Sequence, residues 1–339
     1  MGMARKSSKL NLLKGFACLG VVLIHIPFPG RFGQIVLYAA QYAVPVFFMI
    51  AGYFAFGRGA DVIRRRLKKI AGIFLAAYLL FFLVKITPSI RAHTVGIWLA
   101  ENFSRSTPVK YLCFCTISFA IALWYLIAML EIYVLWLFVV KRGMERAVLR
   151  LTPLLFVLHI LLTCFCETKG LPWFWKINFL TSGLSWFLLG YWMNTPQAAG
   201  LRAAGAGRLW LLAGLGCAIT VLPAALGLSL KLNALGYLPY TLGLFALALK
   251  QPDRSVCRAM EFIGEKLSLF VYLLHIPVYD ALHAVFRGQG LDTDSALFLW
   301  CEPLLVLIAT LLVSLLLASL AGRHRHPARS ARGQNSTES

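Results

Sequence analysis

The chain is poor in charge, and poorest in acid. Only 14% of its 339 residues are charged, and 13 are Asp or Glu, against roughly 25% charged residues in a soluble domain. With 60% hydrophobic residues and mean hydropathy +0.75, a soluble fold of this length is excluded, because too little polar surface is left to cover it. Nothing resembles a Walker loop or a GxGxxG turn, so no nucleotide-binding fold is expected. No His or carboxylate stands at ligand spacing to the cysteines, so no metal site is expected. No small-residue cleavage site follows the first apolar stretch, which is therefore expected to stay as a helix. The length suits one membrane domain and leaves no room for a soluble catalytic domain. Any enzymatic site is then expected within or beside the bundle.

Ten apolar segments are present, at about 9–27, 34–57, 70–87, 117–140, 147–166, 177–194, 209–228, 233–250, 262–282 and 296–320. Each approaches the roughly 20 residues that span a bilayer. The fold expected is all-α, a polytopic transmembrane bundle over residues 1–322, with a disordered polar tail over 323–339. The third and eighth segments read as the shortest. Basic residues give the orientation. With the N-terminus inside, 23 of the 33 Lys and Arg fall in inside segments and nine outside, with Lys14 inside the first span. Both termini are therefore expected in the cytoplasm. The same bias explains the net charge of +20, which in a soluble protein would indicate nucleic acid. No nucleic-acid partner is expected; the lipid bilayer is. The setting expected is a cell membrane, a bacterial inner membrane or a plasma membrane.

Lys14 and His25 share the first apolar stretch. Such groups are expensive in lipid and rarely persist there without a role. Eleven steps of helix separate them by about 16 Å along the axis. His25 can take a proton from a hydroxyl that attacks an acyl carbon, or it can simply be hydrogen-bonded inside the bundle. Lys14 can serve a site or snorkel to the inner surface. His275, in Leu273-Leu274-His275-Ile276-Pro277, echoes Leu23-Ile24-His25-Ile26-Pro27. Both helices run the same way and place the two rings at similar depth. Each Pro can kink its helix and open a cavity, or both helices can be kinked packing elements. Glu131, in the fourth span, can pair with Lys14 for a site or for structure alone.

Arg64, Arg65, Arg66, Lys68 and Lys69 form a basic patch just before the third span. It is either a solvated loop or a seat for the phosphates of a nucleotide-like donor, to which Arg offers paired donors. Tyr53, near the inner end of the second span, can reach a ligand there. Of eight cysteines, Cys301 is expected toward the outer face, and so are Cys113, Cys115, Cys164 and Cys166. They can pair across two Cys-x-Cys segments in an oxidising compartment, or remain free and buried.

Together these segments resemble the integral-membrane acyltransferase 3 family. Lys14-x10-His25 is similar to its Arg-x10-His signature, and Pro45-Val46-Phe47-Phe48-Met49-Ile50-Ala51-Gly52 to its Pro-x-Phe-Phe-x-x-Ser-Gly segment. The run Arg64 to Lys69, Leu123-Trp124-Tyr125-Leu126, Gly264-Glu265-Lys266-Leu267-Ser268 and Tyr272-Leu273-Leu274-His275 follow in the family's order. The resemblance implies a ten-helix core that moves an acyl group, often acetyl, from cytoplasmic acyl-CoA to a carbohydrate or related cell-envelope hydroxyl. It implies His25 as catalytic base, Lys14 near the donor, and Arg65 and Arg66 holding CoA phosphates. From their positions in the chain, His275 is expected to assist His25, and Lys68 and Tyr53 to lie at the donor site. Trp124, Tyr125 and Glu131 would complete the polar bundle. Lys14 departs from the signature Arg and loses its planar fork; Ala51 stands where Ser is common. The second span also resembles the membrane domain of vancomycin-resistance serine racemases, which implies a rival reading, transport of a small metabolite such as serine or a related amino acid.

Overall fold

The computed structural model describes residues 7–228 and 232–323, and among these every regular element is helical. The tail expected over 323–339 lies outside the described residues, apart from Arg323, which ends the last helix.

Helix α1, Ser8–His25, begins at Ser7, whose hydroxyl accepts the Leu10 amide at 3.3 Å. It stops where Pro27 forces its predecessor out of the helical region, and Ile26 sits at φ −129° and ψ 77°. Pro27 thus terminates α1 instead of kinking it. We expect Ser7→Ala to cost about 1 kcal/mol, measured as a lowered thermal midpoint. Helices α2 (Gly30–Ala39) and α3 (Ala43–Tyr53) form the second apolar segment, broken at residues 40–42.

Helix α4, Ala60–Arg91, is 32 residues long. The third segment, read as one of the shortest, is the longest helix described. The basic run Arg64 to Lys69 belongs to its first turns and is not a loop. Lys and Arg are good helix formers, and their solvated heads let the helix extend beyond its apolar stretch. Helix α5, Trp124–Arg142, is preceded by a 3-10 turn at Ile121–Leu123 and closed by Gly143 in the left-handed region at φ 63°. Helix α6 is Thr152–Lys169. A π-helical turn, Phe179–Leu184, then leads into α7, Ser185–Trp192. Helices α8 (Ala206–Leu226) and α9 (Asn233–Leu249) form a hairpin. A second π turn, Ile263–Leu267, leads into α10, Ser268–Gly288, which continues through Pro277. Helix α11 is Ala296–Arg323.

Eight of these segments are long and apolar enough to cross a membrane. The two others expected as spans are shorter: Phe179–Trp192, and Asn233–Leu249 at 17 residues. Small residues set the closest approaches. Gly15 lies against the Met260 backbone, and Gly264 against the backbone of Asn11 and Gly15. Gly52 of α3 and Gly190 of α7 lie against each other's helix backbone, as do Gly216 and Gly236 between α8 and α9. This is the packing that apolar solvent favours, since helix association there rests on close contact.

Candidate functional site

His25 is the last residue of α1, with Ile26 as its C-cap. The His275 ring lies 5.0 Å away, tilted by 43°. The two histidines expected at similar depth are in contact. Their roles differ. His275 is wholly buried. Its Nδ1 lies 3.1 Å from the Val271 carbonyl, which can only accept, so Nδ1 carries the proton. Nε2 is left with its lone pair and no hydrogen-bond partner.

His25 lines three cavities, whereas His275 lines none of them. The first, about 190 Å³, runs between Lys14 and His25 along α1 and is closed by Tyr125, Ser268 and Tyr272. Tyr272 is held by donating to the Ala122 carbonyl at 2.6 Å, and Tyr125 packs edge-on to Phe47, Phe48 and Tyr272. The second, about 410 Å³, shares His25, Val44 and Trp124 with the first and has His159, Thr163, Glu167, Lys176 and Trp186 among its other walls. The third, about 460 Å³, also meets His25 and is lined by Lys85, Glu101 and Asn102.

Trp124 borders the first two cavities and Tyr125 the first. Lys14 occupies the far end of the narrow cavity, within electrostatic reach of Cys18, Glu265 and Lys69. The expected pair of Lys14 with Glu131 does not form. Residues 115–120 fold inward, and the Cys115 thiol lies 3.2 Å from Glu131 Oε2. Cys115 reaches it from a left-handed backbone at φ 49°. Glu131 Oε1 has no hydrogen-bond partner, and Glu131 lines none of the three cavities.

Arg66 donates to the Phe54 carbonyl at 2.9 Å and also engages Tyr133. It braces the end of α3 against α5. Arg65 and Lys68 are exposed. Tyr53 packs its ring on Phe54 and Phe245 and does not line the Lys14–His25 cavity. All eight cysteines are free, so the outer Cys-x-Cys segments are not bridged. Among the described residues, no group of three or more His, Cys, Asp or Glu is placed to hold a metal ion.

Sequence reasoning passed over His159, Thr163, Glu167 and Lys176. The signal was available. His159, Thr163 and Glu167 recur every four residues on α6, a polar stripe on one face of an apolar helix. Ser182 also enters the 410 Å³ cavity. It does so from the π turn, which Asn178 starts by accepting the Leu180 and Thr181 amides, each at 3.0 Å. A π turn widens the helix and shifts its register, and such turns concentrate at functional sites.

The model of the acyltransferase 3 family, described as an acyltransferase domain, matches residues 7–319. No curated protein and no solved structure matches the chain. A matched region that takes in Lys14, His25, His275 and every helix from α1 nearly to the end of α11 covers the site and its scaffold together, and the chain belongs to the acyltransferase 3 family of multi-pass membrane acyltransferases.

Proposed function

We propose that the protein moves an acyl group, acetyl foremost, from cytoplasmic acyl-CoA to a hydroxyl of a carbohydrate or other cell-envelope acceptor. The observation that carries this reading is the position of His25, where a narrow cavity from Lys14 meets two wider ones. A cavity of 190 Å³ is smaller than the roughly 300–1,000 Å³ of ordinary small-molecule sites. It suits a thin thioester arm and leaves a nucleotide head outside. That head would rest near Lys14, on the exposed Arg65, Lys68 and Lys69 at the start of α4. Basic-residue bias puts this end of α1 in the cytoplasm. The acceptor would approach from the opposite side.

The chemistry then needs no covalent enzyme intermediate. His25 takes the proton of the acceptor hydroxyl as its oxygen attacks the thioester carbonyl carbon. The tetrahedral adduct collapses, the carbon–sulfur bond breaks, and the CoA thiolate leaves with the proton that His25 carries. Direct transfer of this kind rests on one base and on positioning. His275 does not reach the cavities, so its part is to hold the His25 ring. A transport mechanism built on a Lys14–Glu131 switch finds no such contact in this structure, where Glu131 lies against Cys115 and does not line the Lys14 cavity.

The test is transfer of radiolabel from acetyl-CoA, and from a panel of longer acyl-CoAs, in membranes that contain the chain. Label in a hydroxylated acceptor supports the reading. Absence of transfer from every donor, with acceptors present, overturns it. Lys14→Met should raise the KM for acyl-CoA about tenfold, the loss of one charge-assisted contact. Lys14→Arg should restore much of it, because the charge is kept.

A further inference from the structure

The 410 Å³ cavity carries polar groups that the protein itself leaves unanswered. His159 is 7% exposed and Thr163 3% exposed. His159 Nδ1, Thr163 Oγ1 and Glu167 Oε2 are all buried without a hydrogen-bond partner. Among helical threonines, Thr241 and Thr310 have buried hydroxyls without a partner and line none of the three cavities, while Thr168 donates to the Cys164 carbonyl at 2.7 Å and Thr220 to the Gly216 carbonyl at 2.9 Å. Thr163 does not. Buried polar atoms are nearly always satisfied, and an exception calls for a cause. Three exceptions on one cavity, on successive turns of one helix face, point to a ligand that supplies hydroxyls.

The charge of the cavity narrows the ligand further. Lys176 Nζ bonds Glu167 Oε1 at 2.7 Å, so its charge is offset by the carboxylate and the pair is neutral as a unit. The free oxygen left over is a carboxylate acceptor, which attracts an O–H and repels an anion. Trp124, Trp173 and Trp186 supply flat apolar walls, which cover the C–H faces of a ring. The third cavity makes no such demand. Its Lys85 is bonded to Asp280 at 2.9 Å, and its Asn102 amide to the Trp98 carbonyl at 2.9 Å. None of its lining residues has a buried atom without a partner.

We infer that the 410 Å³ cavity is the acceptor subsite, and that His159, Thr163 and Glu167, with Lys176 fixing Glu167, select an uncharged polyhydroxylated unit over an anionic one. This rests on the reading of His25 as the base that receives that unit's hydroxyl proton. Glu167 and Thr163 bind and discriminate; they take no part in breaking bonds.

The test has two arms, both on the full-length purified protein or its membranes. In the first, thermal stability is followed with methyl glucoside and with methyl glucuronide as probes, without acyl-CoA. The neutral glycoside should raise the midpoint and the uronate should not. The rise should vanish in Glu167→Gln and in Thr163→Val, both close in size to the residues replaced. In the second, label transfer from acetyl-CoA to the membrane's own acceptors is measured at low and high acceptor. Glu167→Gln should lower transfer about tenfold at low acceptor and far less at saturation, with the acyl-CoA KM unchanged, as expected for one lost hydrogen bond to a charged group. The acetylated unit should carry no carboxylate or phosphate. Wild-type transfer that depends on His25, with Glu167→Gln and Thr163→Val indistinguishable from it, overturns the subsite and spares the acyltransferase. Selective stabilisation by the glycoside, with no transfer from any acyl-CoA, overturns the acyltransferase and supports the subsite. Stabilisation by the uronate, or an anionic acetylated unit, overturns the neutral selectivity.

Discussion

His25→Ala is expected to lower label transfer from acyl-CoA by between about a hundredfold and ten-thousandfold, the range that one general base contributes. The loss should fall on kcat, with the KM for acyl-CoA little changed, because the donor's charged head is held at the other end of the Lys14 cavity. Folding should survive. The His25 ring ends α1 and faces three cavities, so its removal enlarges existing space and breaks no packed layer. His275→Ala should behave differently. That ring is wholly buried and hydrogen-bonded to Val271, so its loss lowers stability as well as rate. Kinetics and thermal midpoints of the two variants, side by side, check both statements. Full activity in His25→Ala would remove the base from the mechanism.

Much of this site was legible in the sequence because its parts are costly in lipid. Lys14 and His25 stand out on a single apolar helix, and the repeated Leu-x-His-Ile-Pro pointed to a partner for His25. What periodicity does not carry is how the chain returns into the bundle. Residues 115–120 fold inward and bring Cys115 to Glu131, while Glu131 does not line the cavity that holds Lys14; nothing in the local pattern of that loop announces it. The basic run before the third span was visible as charge, but hydropathy alone could not show that the helix continues through it. The stripe at His159, Thr163 and Glu167 was visible as spacing. Its meaning depends on which cavity that face of α6 meets, and that is set by the π turn at Phe179–Leu184 and the Trp walls beside it. Arg66 shows the converse. Its type suited phosphate, and the fold spends it on the Phe54 carbonyl and Tyr133.

Gly190→Val is expected to leave too little folded protein to assay, a drop of about tenfold or more in the amount recovered from membranes. A side chain there would run into the Met49 backbone of α3, just as one at Gly52 would run into Phe187 and Tyr191 of α7. Overpacking usually costs about 1–3 kcal/mol where side chains can give way. Here the obstacle is backbone on both helices, so the cost lies at or above the top of that range. A typical domain has only about 5–15 kcal/mol to lose. Gly72→Ala is the control. Gly72 lies within α4 with open space around it, so Ala there should be neutral or stabilising by up to about 1 kcal/mol. The contrast separates a general intolerance of side chains from the one contact at issue. That contact also reaches the chemistry, since α3 carries Val44, Pro45 and Phe48 into the wall of the cavity beside His25. A milder variant, Gly190→Ala, should therefore retain some folded protein and lose acceptor affinity in proportion to how far α3 is pushed from α7. Recovery and acceptor KM measured on the same preparations test that link.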